Sequence, residues 1–365
     1  MDIIESTRKY EAWLGNQIPL IKKNLNTRHQ AMRQSAFRFL RATFYRWMQL
    51  WPEVCPEMIE APAVLSVGDL HLDNLGTWRD AEGRLVWGIN DFDEAAILPY
   101  PLDLARLAAS AILANQEKAL SILPRDACLA ILNGYWEGLE KGGMPFVLAE
   151  NHPELRSMAL PQLHNPTRFW RKLDMLPSLT DVPGDVMALL RADMQEPASD
   201  LRYVHRTSGL GSLGRQRYMA IANVKGGKVA REAKRLVVSA CEWAIGEEHS
   251  GKILYQEMLD RVVRNPDPFT HLYGDWLIRR IAPDCSRIEL VKLSDPRDAT
   301  RLLIAMGWET ANIHLGSGPV ATARILANLK KQDPDWLLNC SQEMAKATLN
   351  DWEVWKRTKE TYTDQ

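Results

Sequence analysis

Apolar residues recur at helical spacing through residues 28–50, where Met32, Phe37, Leu40, Phe44 and Met48 are interleaved with arginines. That period predicts one long amphipathic helix. The stretch "APAVLSVGD" reads as a short buried strand, and "LGTWRDAEGRLVWGIND" as a hairpin turning at "DAEG". Prolines ahead of an alanine- and leucine-rich run in "PYPLDLARLAASAILANQ" predict a helix with Asp103 near its first turn. More helix is expected to about residue 195, interrupted by loops at "NGYWEGLEKGGMP" and "MLPSLTDVPGD". From about residue 200 the period changes to an alternation around Tyr218, Ala220 and Ala222, with a turn at "KGGK" and a second strand after it. "WLIRRIAP" and "RIELVKL" read as a further strand pair, and residues 298–365 return to helix.

Composition narrows the classes. The chain has 365 residues and 46% hydrophobic content, enough to bury a sizeable core. Lys+Arg of 45 against Asp+Glu of 46 leaves a formal charge of -1, so no global field draws the protein to nucleic acid or an anionic membrane. The five cysteines show no CxxC spacing, which argues against a zinc site or a disulfide framework. The N-terminus mixes charges of both signs, and no stretch reaches about 18 apolar residues. A cytoplasmic protein is expected.

The candidate chemistry lies at two strand ends, "VGDLHLDN" at 67–74 and "GINDFDEA" at 88–95. Kinase-type enzymes use an Asp to orient or deprotonate an acceptor hydroxyl, an Asn five residues later as a metal ligand, and an Asp beyond the next hairpin to hold Mg²⁺ against the nucleotide phosphates. Asp69, Asn74 and Asp91 have that order and spacing. Mg²⁺ prefers hard oxygen donors and keeps several waters, so this short set can suffice. His71 could touch phosphate or metal, or hydrogen-bond the loop backbone. Asp103 could anchor the loop through its amides, or act only as a helix N-terminal carboxylate.

"GLGSLG" at 209–214 matches GxGxxG, which has two structural contexts. A dinucleotide fold needs a helix after the glycines, but "RQRYMAIANV" alternates like a strand, so a hairpin flap over nucleotide phosphates is expected. Gly209, Gly211, Ser212 and Gly214 would form that flap. Lys234 on the following strand would pair with phosphate, with Arg231 a nearby rival, and a helical Glu, Glu242 or Glu257, is expected to pair with Lys234. Arg38, Arg41 and Arg46 could line an acceptor pocket.

"GDLHLDNLG", "NDFDEA", "PYPLDLARLAAS", "GLGSLG" and "MGWETANIHLG" together resemble the bacterial domain of unknown function 2252 family across nearly the whole chain. The first two also look like the catalytic loop and metal motif of aminoglycoside phosphotransferases and other kinase-like enzymes. The resemblance assigns Asp69 as catalytic, Asn74 and Asp91 as metal ligands, residues 209–214 as the flap and Lys234 as its partner. Val67 stands where kinase-like enzymes commonly have His, and Ala42 follows Arg41 where the family usually shows Gly.

An ordinary kinase has its flap before its catalytic loop, whereas here residue 69 precedes residue 209. A circular permutation resolves the order, because termini often lie close together on a domain surface. The expected fold is therefore α+β: a permuted, two-lobed, kinase-like fold with a mainly helical large lobe and a small β-rich nucleotide lobe. Residues 1–60 would pack on the large lobe, 61–197 would carry the catalytic loop and metal site, 198–297 the nucleotide lobe, and 298–365 would complete the large lobe. The expected activity is transfer from ATP, with Mg²⁺, to a hydroxyl of a small molecule or protein. Nucleotidyl transfer from the same site, a catalytically silent nucleotide-binding regulator, and a dinucleotide-dependent oxidoreductase are the alternatives.

Overall fold

The computed structural model describes residues 1–117, 122–149, 151–194, 198–207, 209–246, 251–289, 292–293 and 296–358. The chain opens with α1 (Ile3–Gln17), whose first turn is capped by the Asp2 carboxylate accepting from the Glu5 N–H at 2.9 Å. The single helix expected over 28–50 is instead three: α2 (Lys22–Gln34), α3 (Ala36–Ala42) and α4 (Phe44–Val54). Ser35 is extended and its hydroxyl accepts from the Arg38 N–H at 3.2 Å, which starts a new helix. Thr43 breaks the ladder next, its hydroxyl donating to the Phe39 carbonyl at 2.8 Å.

Strand β1 (Ala63–Ser66) leads to the hairpin β2 (Leu75–Arg79) and β3 (Leu85–Ile89), paired from Leu75↔Ile89 to Arg79↔Leu85 as the apolar alternation predicts. Strand β4 (Ala96–Pro99) returns antiparallel to β1. Helix α5 (Pro101–Gln116) follows, with a proline in its first turn and nearly every side chain buried. Then come α6 (Pro124–Lys141), β5 (Phe146–Val147) beside β3, α7 (Pro153–Ala159), α8 (Pro166–Asp174) and α9 (Gly184–Ala192). The second sheet contains β6 (Ala198–His205), β7 (Arg217–Val224) and β8 (Gly227–Arg235); helices α10 (Ala240–Ile245) and α11 (Tyr255–Arg261) precede its last strands, β9 (His271–Tyr273) and β10 (Trp276–Arg280). It is antiparallel throughout, in the order β6-β7-β8-β10-β9. The chain closes with α12 (Pro296–His314), α13 (Pro319–Leu329) and α14 (Trp336–Arg357). Residues 359–365 of the expected C-terminal helical stretch lie outside the described residues.

Two expectations change here. The loop read at "NGYWEGLEKGGMP" is mostly helix, because Gly134 and Gly138 are contact points rather than breakers. A Cβ on Gly134 would stand 1.8 Å from the Ile304 carbonyl oxygen of α12, and one on Gly307 would stand 2.0 Å from the Ile131 oxygen of α6. The missing side chains let two backbones touch. The strand expected at 287–293 does not form at 287–289, and residues 290–291 lie outside the described residues.

Packing divides the chain differently from its sequence order. A large core unites α4 to α6, α12 and α14 with β1 to β3, and also takes Leu236, Ala240, Tyr255 and Leu277 from the second sheet's region. The second sheet has separate cores on each face: Val186 and Leu190 of α9 pack on Ala220, Ala233 and Ile278, and Leu173 of α8 on Met219 and Ile221. Helices α8 and α9 thus pack on the sheet rather than on the helical core, so the small unit begins well before 198; the expected boundary at 197 lies outside the described residues.

Cys55 and Cys340 are bonded as a disulfide that ties the end of α4 to α14, against the expectation of unpaired cysteines; Cys128, Cys241 and Cys285 are free. The 285-residue separation explains why no local spacing announced the pair. Among the described residues no helix is long and apolar enough to cross a membrane.

Candidate functional site

The loop after β1 is held from behind. Asp103 accepts from the Val67 N–H at 2.7 Å and the Gly68 N–H at 2.9 Å, while His314 Nε2 of α12 stands 3.2 Å from the same carboxylate. Ser110 accepts from the Leu72 N–H at 3.1 Å. Asp103 thus combines both roles weighed for it, lying in the first turn of α5 and binding the loop amides. Gly68 has φ +79°, and a Cβ there would meet the Glu94 carbonyl oxygen at 2.3 Å, so only glycine lets the two acidic motifs close on each other.

Asp69 faces the cleft and is paired to Arg106, whose Nε donates to Oδ1 at 2.8 Å. Burial pushes the Asp69 carboxyl up to about 7, against the opposing pull of Arg106. Asn74 donates its amide to the Asp69 carbonyl at 2.7 Å, which fixes the turn and leaves Oδ1 without a hydrogen bond among the described residues. His71 is buried, and its Nδ1 accepts from the Asp73 N–H at 3.1 Å. Burial, assisted by Arg41, holds its pKa well below the ordinary range, so the ring is neutral and one nitrogen serves the loop backbone.

The second motif meets the second sheet. Lys234 Nζ lies 3.2 and 3.4 Å from the two oxygens of Asp91 and also pairs with Asp93. Burial opposes the charge on Asp91, but Lys234 outweighs it and holds this carboxyl below the usual range, whereas burial and the neighbouring Asp91 push Asp93 up to about 6. Neither Glu242 nor Glu257 is the partner of Lys234. Glu257 pairs with Arg261 on its own helix, and the two aspartates already satisfy the ammonium. The rival Arg231 points to the opposite face, bound to Asp193 and stacked 4.1 Å over Phe269.

The glycine-rich loop joins β6 to β7 as the flap expected, with no following helix, so the strand-loop-helix context of a dinucleotide fold is not present. Gly209 and Gly214 have φ of +75° and +107°. A Cβ on Gly211 would stand 3.4 Å from Asp69 Oδ2, and Ser212 Oγ accepts from Arg217 at 2.8 Å. The flap therefore lies directly over the loop that carries Asp69. The N-terminal helices hold it there as well as packing on the helical core: the Ile21 N–H donates to the Gly214 carbonyl at 2.8 Å, and Asn24 Nδ2 lies 3.3 Å from His205 Nε2.

Asp69, His71, Asn74, Asp91 and the Gly209–Ser212 stretch line one cleft of about 50 Å³, and Asn74, Asp91 and Gly209 also border an adjoining cavity of about 360 Å³ beneath the sheet. Arg41 reaches the cleft, its Nη1 2.7 Å from Asp73, whereas Arg46 is bound to Asp351 and Arg38 to Gln34. Two residues were not read from the sequence as parts of the site. Arg106 carried one signal, as the one basic residue of a largely apolar helix. Glu94 reads in the sequence as a solvated loop acid, but it is buried and binds Arg215 at 2.8 Å and the Ala240 N–H at 2.7 Å, tying the second acidic motif to the start of α10.

Among the described residues no cluster of three or more His, Cys, Asp or Glu forms a ligand set by itself. The donors present are hard oxygens: an ionised Asp91 paired to Lys234, and, without a hydrogen bond among the described residues, Asn74 Oδ1 and a buried Asp93 Oδ1. Such a set suits Mg²⁺ completed by phosphate and water oxygens.

Residues 20–149 match the family model described as "Uncharacterized protein conserved in bacteria (DUF2252)". The matched stretch holds Asp69, Asn74, Asp91, Asp103 and Arg106, and ends before the glycine loop and Lys234. No curated protein and no solved structure matches the chain.

Proposed function

We propose that the protein is an ATP- and Mg²⁺-dependent phosphotransferase with a circularly permuted, two-lobed, kinase-like fold, acting on a hydroxyl of a small molecule or protein. The observation that carries this reading is the contact between Lys234 and Asp91, which joins the flap-bearing sheet to the acidic loops in one cleft. The sheet supplies a glycine flap between its first two strands and a lysine on its third, as kinase chemistry requires. The helical core supplies Asp69 and Asn74 on a loop fixed by Asp103.

In this reading Asp69 orients the acceptor hydroxyl and takes its proton. The hydroxyl oxygen bonds to the γ-phosphorus, the bond from that phosphorus to the β-γ bridging oxygen breaks, and ADP leaves. Asn74 and Asp91 would hold Mg²⁺, which when bound neutralises phosphate charge and keeps the chain of phosphates in line. Flap amides from Gly209 to Gly214 exclude water and position the phosphates. The cleft needs no covalent intermediate, since positioning and electrostatics supply most of such catalysis.

The test incubates purified full-length protein with Mg-ATP and a cell extract, and follows by mass spectrometry which compound gains a phosphate, with Asp91→Asn as control. Absence of both phosphate gain and a melting-temperature shift specific to Mg-ATP would remove the proposal; gain of a nucleotide instead would replace phosphoryl by nucleotidyl transfer.

A further inference from the structure

Strand alternation and the pairing registers put Arg217, Glu232, Lys234 and Arg279 on one face of the second sheet, the face that covers the 360 Å³ cavity. Glu232 is fully buried and serves three guanidinium groups. Arg217 binds it at 3.0 Å, Arg279 at 2.7 Å and Arg206 at 3.2 Å. Burial works against the charge on Glu232, but the three arginines outweigh it and hold its carboxyl well below the usual range. One negative charge therefore faces three positive ones. The surplus points outward: the Arg206 and Arg279 side chains keep 31% and 22% of their exposure while Glu232 behind them has none.

The lysine beside them is in the opposite condition. Lys234 is 1% exposed and already faces two carboxylates, so a phosphate approaching it also meets Asp91 and Asp93. The two carboxylates cancel or outweigh the lysine's attraction for a phosphate, whereas three arginines against Glu232 leave a positive surplus that Asp91 offsets only in part, in a partly desolvated wall with the forked geometry that suits phosphate oxygens. Arg217 also donates to Ser212 Oγ of the flap, so this charge lies directly under the glycine loop.

We propose that Arg206, Arg217 and Arg279, organised by Glu232, form the socket that grips the phosphate chain of the ligand, and that Lys234 is instead a positioning residue which holds the metal-ligand candidate Asp91. The proposal rests on the nucleotide reading for the identity of that ligand, but the socket itself is a polyphosphate site whichever group carries the phosphates.

The experiment titrates full-length protein by calorimetry with Mg-ATP and, separately, with inorganic tripolyphosphate, using wild type, Arg279→Gln, Arg279→Lys and Arg206→Gln. Both probes are expected to bind wild type, to compete, and to lose at least about tenfold in affinity in either Gln variant, with partial recovery in Arg279→Lys. Arg206→Gln gives the same readout from the cavity rim should Arg279→Gln fail to fold. Mg-ATP binding that neither Gln variant weakens, without competition from tripolyphosphate, overturns the socket and leaves the nucleotide reading standing. Arginine-dependent tripolyphosphate binding with no binding of Mg-ATP keeps the socket and removes that reading. No binding of either probe to wild type overturns both.

Discussion

Lys234 Nζ lies 3.2 Å from Asp91 Oδ1 although 143 residues separate them along the chain. The pair is asymmetric, because Lys234 has a second carboxylate partner in Asp93, which Arg215 also approaches at 3.5 Å, while among the described residues Asp91 is ion-paired to Lys234 alone. Asp91→Asn should therefore leave the fold nearly intact, with Lys234 still paired, yet lower Mg-dependent turnover by about 10²–10³-fold. Lys234→Met should instead cost about 1–3 kcal/mol of stability, since it takes the cation from the partly exposed Asp91 and leaves the buried Asp93 with only Arg215 at 3.5 Å. Urea unfolding of both variants beside their activity separates the effects. Equal stability losses would contradict the asymmetry.

In the proposed reaction Asp69 must be ionised to accept a proton, and its carboxyl is pushed up to about 7. Activity should accordingly fall as pH drops through about 7, with an acid limb set by one group. Asp69→Asn keeps an oxygen for Arg106 but no basic site, so its residual rate, lower by about 10²–10⁴-fold, should lack that limb. A pH–rate series from 5 to 9 on both proteins reads this directly, and an acid limb that survives in Asp69→Asn assigns it to another group.

Much of this site was legible because its signals are local. Asp69 and Asn74 share one turn, Asp91 follows one hairpin later, and the alternation after Gly214 fixed the flap as part of a sheet. What escaped depended on partners distant in sequence. Arg106 shows its role only when α5 lies behind the loop carrying Asp69, and Glu232 reads as an ordinary strand charge until Arg206, Arg217 and Arg279 gather on it. Helical period carried through Ser35 and Thr43 because apolar spacing continues across both breaks, while side-chain hydrogen bonds decide the chain direction there. Cys55 and Cys340 meet only because α4 and α14 are neighbours in the core.

Gly134 and Gly307 make a prediction that opposes simple helix propensity. Replacing a helical glycine by alanine ordinarily gains about 1 kcal/mol. Here the added methyl would meet a carbonyl oxygen of the facing helix at 1.8 or 2.0 Å, so α6 and α12 must separate. Overpacking of this kind costs about 1–3 kcal/mol or more, and Gly134→Ala and Gly307→Ala should each lower the urea midpoint. Gly142→Ala, where no neighbour lies within 4 Å, supplies the contrast; its loss should come from the left-handed φ of +75° alone. A midpoint unchanged in Gly134→Ala would mean that the helices are not in backbone contact.

Glu309 of α12 fixes the end of β3 from inside the core, accepting from the Ile89 N–H at 3.1 Å and from Asn312 Nδ2 at 2.8 Å. It is 2% exposed, and burial pushes its carboxyl up to about 7 from an ordinary 4.5. A carboxyl raised on folding binds its proton more tightly in the native state, so the stability it contributes is present below about 4.5 and is lost as pH climbs toward 7. Between pH 5 and 8 this group alone should remove about 1–3 kcal/mol. Glu309→Gln does not titrate, and whatever its baseline stability, it should lose less over the same interval. Urea midpoints at pH 5 and pH 8 give the two slopes. Parallel slopes would mean that Glu309 keeps an ordinary proton affinity, and that the donors from Ile89 and Asn312 offset the cost of burying its charge.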